Sequence, residues 1–226
     1  MRYGLSVPNF GEYADPRLTA DLAHQAEATA WDGFFVWDHI NAAPPGRGMA
    51  DPWVLLTAAA LATERVRIGT MVTPVARRRP WKLARETATL DQLSGGRLIL
   101  GVGLGYPADL EYAALGEEPD DRLRAEKLDE GLQVLTGLWT GVPFSFDGRH
   151  FHIDDAQFLP TPVQRPRIPI WVAQRWPHRR PLKRAARWDG LVPMLETEMF
   201  PSPAPGADGV SEVRAARDGE EPCAVH

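Results

Sequence analysis

The side chains able to do chemistry in this 226-residue chain gather at the ends of short apolar runs. Those ends carry Pro8-Asn9-Phe10, Asp38-His39, Thr70–Pro74, Gly103-Leu104-Gly105-Tyr106, Gln174-Arg175-Trp176 and Pro193-Met194. A glycosidase needs two carboxylates flanking a bond, and these ends offer Asp38 alone. A zinc hydrolase needs three or more His, Cys or carboxylate ligands, a cluster the ends lack. No Gly-Lys-Ser/Thr phosphate loop occurs. Gly101-x-Gly103 runs on to Tyr106 where a dinucleotide fingerprint needs its third glycine, and no acidic residue stands at the ribose spacing. His39 is the group here that can move a proton near neutral pH. Its plainer reading is a strand-end histidine making a structural hydrogen bond. Arg77-Arg78-Arg79 reads either as an attractor for an anionic ligand or, as such runs more commonly do, as a solvated helix flank. His150 and His152 alternate onto one side of a strand, but two histidines without further ligands make a weak metal site, and none is expected.

These ends belong to an alternation of strand-like and helical runs. Tyr3–Pro8 reads as a first strand. Asp15-Pro16 then opens a helix, because Asp accepts from free amides and Pro is pre-set for the first helical position. Leu18, Leu22, Ala26 and Ala30 give that helix one apolar face. Gly33–Trp37 is a continuous apolar run, as in a strand buried on both faces of a parallel sheet. The pattern repeats: Asp51-Pro52 opens a helix to Ala62, Val66–Val72 is a strand, and Pro80 starts a helix that stops at Ser94-Gly95-Gly96. Arg97–Gly103 is a fourth strand and Asp121–Trp139 a long helix. Phe144–Ile153 reads as a hairpin turning at Asp147-Gly148, followed by a stiff return through Pro160, Pro162, Pro166 and Pro169. Ile168–Ala173, Pro181–Trp188 and Gly190–Pro193 add strand, helix and strand.

Five strand–helix units and a sixth strand predict an α/β fold, a (β/α) TIM-type barrel rather than an open dinucleotide-binding sheet. After Pro193 the pattern weakens. A loop at 201–206, a short helix at 210–217 and a partial strand at 222–226 are expected, so strands seven and eight read as missing or partial. The expected division is a barrel domain over 1–200, with a hairpin insertion near 142–166, and a Pro/Gly-rich tail over 201–226. Unpaired strand edges would need cover, which predicts a homodimer or marginal stability.

Composition narrows the class. Basic residues number 25 and acidic ones 30, a net charge of −5 that argues against a nucleic-acid partner. The single cysteine, Cys223, excludes an intrachain disulfide, and the apolar stretches are too short for a membrane span; a cytoplasmic protein is expected.

Several ordered motifs resemble the bacterial-luciferase-like flavin oxidoreductases. They are Trp37-Asp38-His39, Ile68–Pro74, Leu90-Asp91-Gln92-Leu93-Ser94-Gly95-Gly96-Arg97, Leu100–Gly105, and Pro162-Val163-Gln164-Arg165-Pro166 leading into Ile168–Val172. The resemblance spans roughly residues 1–195 and implies a barrel that binds FMN or the deazaflavin coenzyme F420. It implies hydride transfer or oxygen activation on a small-molecule substrate, often with a separate flavin reductase as partner.

Carried over position by position, the resemblance implies that His39 is catalytic beside the flavin ring, with Asp38 orienting it or turned into the helical layer. It places a non-prolyl cis peptide in Thr70-Met71-Val72, and contacts to the flavin at Thr70, Met71, Leu104 and Tyr106. Ala173, Gln174, Arg175 and Trp176 fall where relatives hold the cofactor phosphate, although relatives often have glycines where this chain has Ala173-Gln174. The leading expectation is a flavin-dependent oxidoreductase or monooxygenase using reduced FMN, with deazaflavin F420 as the alternative. A non-catalytic or degenerate flavin-binding barrel is the second reading. An unrelated barrel isomerase or hydrolase is disfavoured by the strand-end residues.

Overall fold

The computed structural model describes residues 1–176 and 180–195. In chain order these form β1 (Gly4–Val7), α1 (Pro16–Ala28), β2 (Gly33–Val36), α2 (Pro52–Leu61), β3 (Arg67–Pro74), α3 (Pro80–Leu93) and β4 (Leu98–Gly103). The short α4 (Ala108–Glu111), α5 (Asp121–Trp139), β5 (Phe144–Asp147), β6 (His152–Ala156), β7 (Ile170–Trp176), α6 (Arg180–Ala185) and β8 (Gly190–Leu195) follow. The loop, helix and strand expected beyond 200 lie outside the described residues.

Helices α1 and α2 start at their Asp-Pro pairs, as the sequence predicts. Asp15 accepts the Arg17 amide at 2.8 Å, and Asp51 accepts the Trp53 and Val54 amides at 2.8 and 3.1 Å, each satisfying donors a helix start leaves open. Pro follows each cap at a position where a missing N–H costs nothing.

The strands pair in the order β1-β2-β3-β4-β7-β8, every pair parallel. Side-chain alternation splits their residues between two cores. Phe34, Val36, Ile68, Leu98, Leu100, Val102, Ile170, Val172 and Leu191 join the main core shared with the helices. Phe35, Ile99, Trp171 and Val192 make a separate cluster on the other face. The Phe35 and Trp171 rings lie 5.6 Å apart although β3 and β4 stand between their strands. In a flat sheet β2 and β7 would be about 14 Å apart, so the sheet curls into the wall of a (β/α) barrel with this cluster inside it. Gly190 makes room for the indole, since a Cβ there would lie 2.2 Å from Trp171.

The hairpin β5–β6 packs outside, on α5. Glu130 accepts the amides of Arg149, His150 and Phe151 at 2.9, 2.9 and 3.1 Å. His150 meets Glu126 at 3.2 Å and His152 meets Asp147 at 3.0 Å, so each histidine has its own carboxylate. Among the described residues no three His, Cys, Asp or Glu side chains come together as a metal site. No helix among them is long and apolar enough to cross a membrane.

Candidate functional site

In a (β/α) barrel the ligand-binding groups sit at the C-terminal ends of the strands. Beyond β1, Asn9 is fully buried and ties that end to the next strand. Its Nδ2 donates to the carbonyls of His39 and Ala50, both at 2.8 Å, and its Oδ1 accepts the His39 amide at 3.2 Å. Three rings gather there: Trp37 and His39 have centroids 5.8 Å apart, and Phe10 lies 6.0 and 6.3 Å from them.

The imidazole of His39 is held from outside its own strand. Its Nδ1 lies 3.3 Å from Oε1 of Glu111, the last residue of α4 and fully buried. Glu111 also accepts the amides of Ile40 and Asn41 at 3.1 Å and bonds the Arg77 guanidinium. Burial pushes this carboxyl up, but the hydrogen bonds from His39 and the Asn41 amide, with the charge of Arg77, outweigh it and hold it at about 2. His39 keeps a quarter of its side chain exposed.

Asp38 does not orient His39. It is 3% exposed, and its carboxylate accepts from Arg77 at 2.8 Å and from Arg78 at 2.8, 2.9 and 3.1 Å. The alternation of β2 explains the split: Asp38 continues the helix-facing series of Phe34 and Val36, and His39 the interior series of Phe35 and Trp37. At Arg77 and Arg78 the arginine run is correspondingly no solvated flank, whereas Arg79 before α3 is exposed. Arg77 and Arg78 expose 6% and 18% of their side chains. Burial works against the charge of Arg78, and Asp38 overcomes this and raises its pKa. Arg79 lies over Trp81.

The Met71–Val72 peptide is cis, in the segment where the resemblance placed such a bond. The Thr70 side chain is buried and occupied: its hydroxyl donates to the Gly101 carbonyl at 3.0 Å and accepts from Thr73 at 2.9 Å, where the β3–β4 register shifts. Met71, Val72 and Ala173 pack over the interior cluster and form a floor of modest side chains. Gly103 keeps that floor open, because a Cβ there would lie 2.8 Å from Val72 and 3.2 Å from Ala173.

Beyond β4, the Leu104 carbonyl accepts from the Tyr112 hydroxyl at 2.6 Å and from Arg124 at 2.8 Å, and Arg124 also reaches the Gly105 carbonyl at 2.8 Å. Burial of Tyr112 raises its pKa, keeping the hydroxyl a donor. Tyr106 is half exposed, and the Arg175 guanidinium lies 4.2 Å over its ring. Gln174 is buried, on the opposite register from Arg175. Trp176 ends β7.

The structure thus brings His39, Met71, Leu104, Tyr106, Ala173 and Arg175 to one end of the barrel, and turns Asp38, Thr70 and Gln174 into the protein. Sequence reading missed Glu111, because its bond to His39 spans 72 positions and its helix is four residues long. The arrangement offers an imidazole fixed at Nδ1, a small apolar floor, and a guanidinium on an aromatic ring. Among the described residues no carboxylate pairs with Arg175. These features fit a flat, partly apolar ring with an anionic extension. Cavities of about 280 Å³, beside Glu27 and Arg65, and 340 Å³, between Trp81 and Phe158, lie elsewhere.

A family model for luciferase-like monooxygenases matches residues 1–200. F420-dependent glucose-6-phosphate dehydrogenase of Gordonia bronchialis is 37% identical over 171 residues, covering 74% of this chain and 49% of that protein. Its counterpart in Amycolatopsis mediterranei is 36% identical over 179 residues, covering 77% of this chain and 51% of that protein. The chain therefore spans about half the length of these curated relatives. An F420-dependent secondary alcohol dehydrogenase, solved with an F420-acetone adduct, superposes with a TM-score of 0.81 at 24% identity, covering 99% of this chain and 67% of that one. A type II Baeyer-Villiger monooxygenase of Pseudomonas putida, solved with FMN, gives 0.78 at 20% identity, covering 100% and 66%. At those identities the likeness carries the fold.

Proposed function

This chain belongs to the luciferase-like monooxygenase family, and from that membership we propose that it serves a flavin- or deazaflavin-dependent oxidoreductase, with coenzyme F420 ahead of FMN. The observation that carries this reading is the pairing of His39 with Glu111 on one side of the barrel end and Arg175 with Tyr106 on the other, across the floor of Met71, Val72 and Ala173. The F420-dependent names of the sequence relatives support the order of the two cofactors. FMN is the second reading, favoured by the fold shared with an FMN-bound monooxygenase; a separate reductase partner belongs to it.

The bound cofactor would supply two-electron hydride chemistry. Arg175 would hold its anionic part by charge-assisted hydrogen bonds. The Leu104–Gly105 loop, its carbonyls tied back by Arg124 and Tyr112, would present a rigid edge to it. His39, fixed at Nδ1 by Glu111, would exchange a proton with the substrate through Nε2.

Titration of the purified protein with F420 and, separately, FMN, followed by absorbance and fluorescence, tests the reading. Saturable micromolar binding of F420 with weaker FMN binding is expected. Folded protein that binds neither would overturn it. Binding with no turnover of any small alcohol or sugar phosphate would favour the non-catalytic barrel instead.

A further inference from the structure

Four buried charged side chains meet beside His39. Asp38 and Glu111 are the anions, Arg77 and Arg78 the cations. Arg77 joins the two carboxylates, one Nη on each. The four charges sum to zero before His39 is counted. Among the described residues the other groups facing His39 are uncharged: the Phe10 and Trp37 rings and the Asn9 amide on its backbone. A buried carboxylate needs a cationic partner, and losing that partner leaves an uncompensated charge in a low dielectric. Without Arg77, His39 would be the one cation among the described residues in contact with Glu111, and its ring would have to stay charged to balance it.

We propose that Arg77, held in turn by Asp38, is a positioning residue for proton exchange at His39. It neutralises Glu111, so the imidazole gains and loses a proton without stranding a buried charge, while Glu111 stays ionised and keeps hold of Nδ1. This assigns Asp38 a part in the site that its distance from the imidazole conceals: it fixes the arginine. The inference rests on the reading of His39 as the proton-handling group.

The test is NMR of cofactor-free protein carrying isotope-labelled histidine, with His39→Asn assigning the signal and ring shifts giving the imidazolium fraction at one fixed pH near neutrality. Arg77→Met raises the imidazolium-to-imidazole ratio at His39 by about tenfold, the usual effect of one close charge. Glu111→Gln lowers it by a similar factor, and Arg77→Lys returns it toward wild type. A merely structural role would move the Arg77 and Glu111 variants the same way, toward a solvent-exposed histidine. An unchanged or lowered ratio in folded Arg77→Met overturns the proposal. If that variant does not fold, Asp38→Asn decides: it leaves the cluster with a net positive charge, so the ratio must fall, and no change overturns the proposal. Undiminished turnover by His39→Asn would instead sink the reading of His39, leaving the NMR result as it stands.

Discussion

Asp91 of α3 and Gln164 of the segment returning from the hairpin are joined twice. Oδ1 of Asp91 accepts the Gln164 side-chain amide at 2.7 Å, and Oδ2 accepts its backbone amide at 3.1 Å. The same Oδ2 accepts the Val163 amide at 2.7 Å, and Gln164 also donates to the Leu98 carbonyl at 2.7 Å and accepts from Arg67 at 3.1 Å. This joint sits where β4 begins, at the end of the barrel opposite His39. The motifs Leu90–Arg97 and Pro162–Pro166 therefore serve the fold at this end, where side chains stabilise the barrel rather than do chemistry.

Replacing Asp91 by Ala strips a fully buried anion from three donors. It should cost about 3 kcal/mol by denaturant unfolding, the range for hydrogen bonds to charged groups. Limited proteolysis should appear in the return segment, while cofactor affinity well below the melting temperature stays near wild type.

Arg97 is buried, and among the described residues no carboxylate pairs with it. Its guanidinium donates to the carbonyls of Ser94, Val66, Ala60 and Thr63 and to the Thr63 hydroxyl, at 2.7 to 3.1 Å. Burial lowers its pKa, so the carbonyl cage carries the charge. Arg97→Met should destabilise by about 3–5 kcal/mol, since it leaves several buried acceptors unpaired. Lysine should recover only part of that, because a point charge cannot span the fork. Urea unfolding of the two variants measures both values.

Glu111 makes stability depend on acid. Its folded value of about 2 lies below the ordinary 4.5, so its contribution is complete above that ordinary value and is lost as pH falls toward 2. The loss should be on the order of 3 kcal/mol. Thermal melts between pH 5 and 2 should fall less steeply for Glu111→Gln than for wild type. Parallel curves would show that Glu111 does not titrate in this window.

Arg175 tests the anionic side of the site. Arg175→Leu should weaken cofactor binding about tenfold to a hundredfold, the equivalent of one charge-assisted hydrogen bond. Tyr106→Phe keeps the ring under the guanidinium and should change affinity little, whereas Tyr106→Ala should cost about threefold. Wild-type affinity in Arg175→Leu would remove Arg175 from the cofactor site.

Much of this molecule is local in origin. Asp-Pro pairs open α1 and α2, apolar runs form the parallel strands, and Gly148 opens the hairpin turn directly after Asp147 ends β5, because caps, side-chain period and turn geometry depend on residues a few positions apart. The amino-acid order therefore determined the α/β alternation and, through its motifs, which strand ends carry His39, Met71, Tyr106 and Arg175. Tertiary structure decided how those ends are used. Asp38 and His39 are chain neighbours bound to different partners, and the bond from Glu111 to His39 closes only when α4 folds across the end of β2. Charge pairs of that kind depend on distance in space, and nothing in local spacing encodes them.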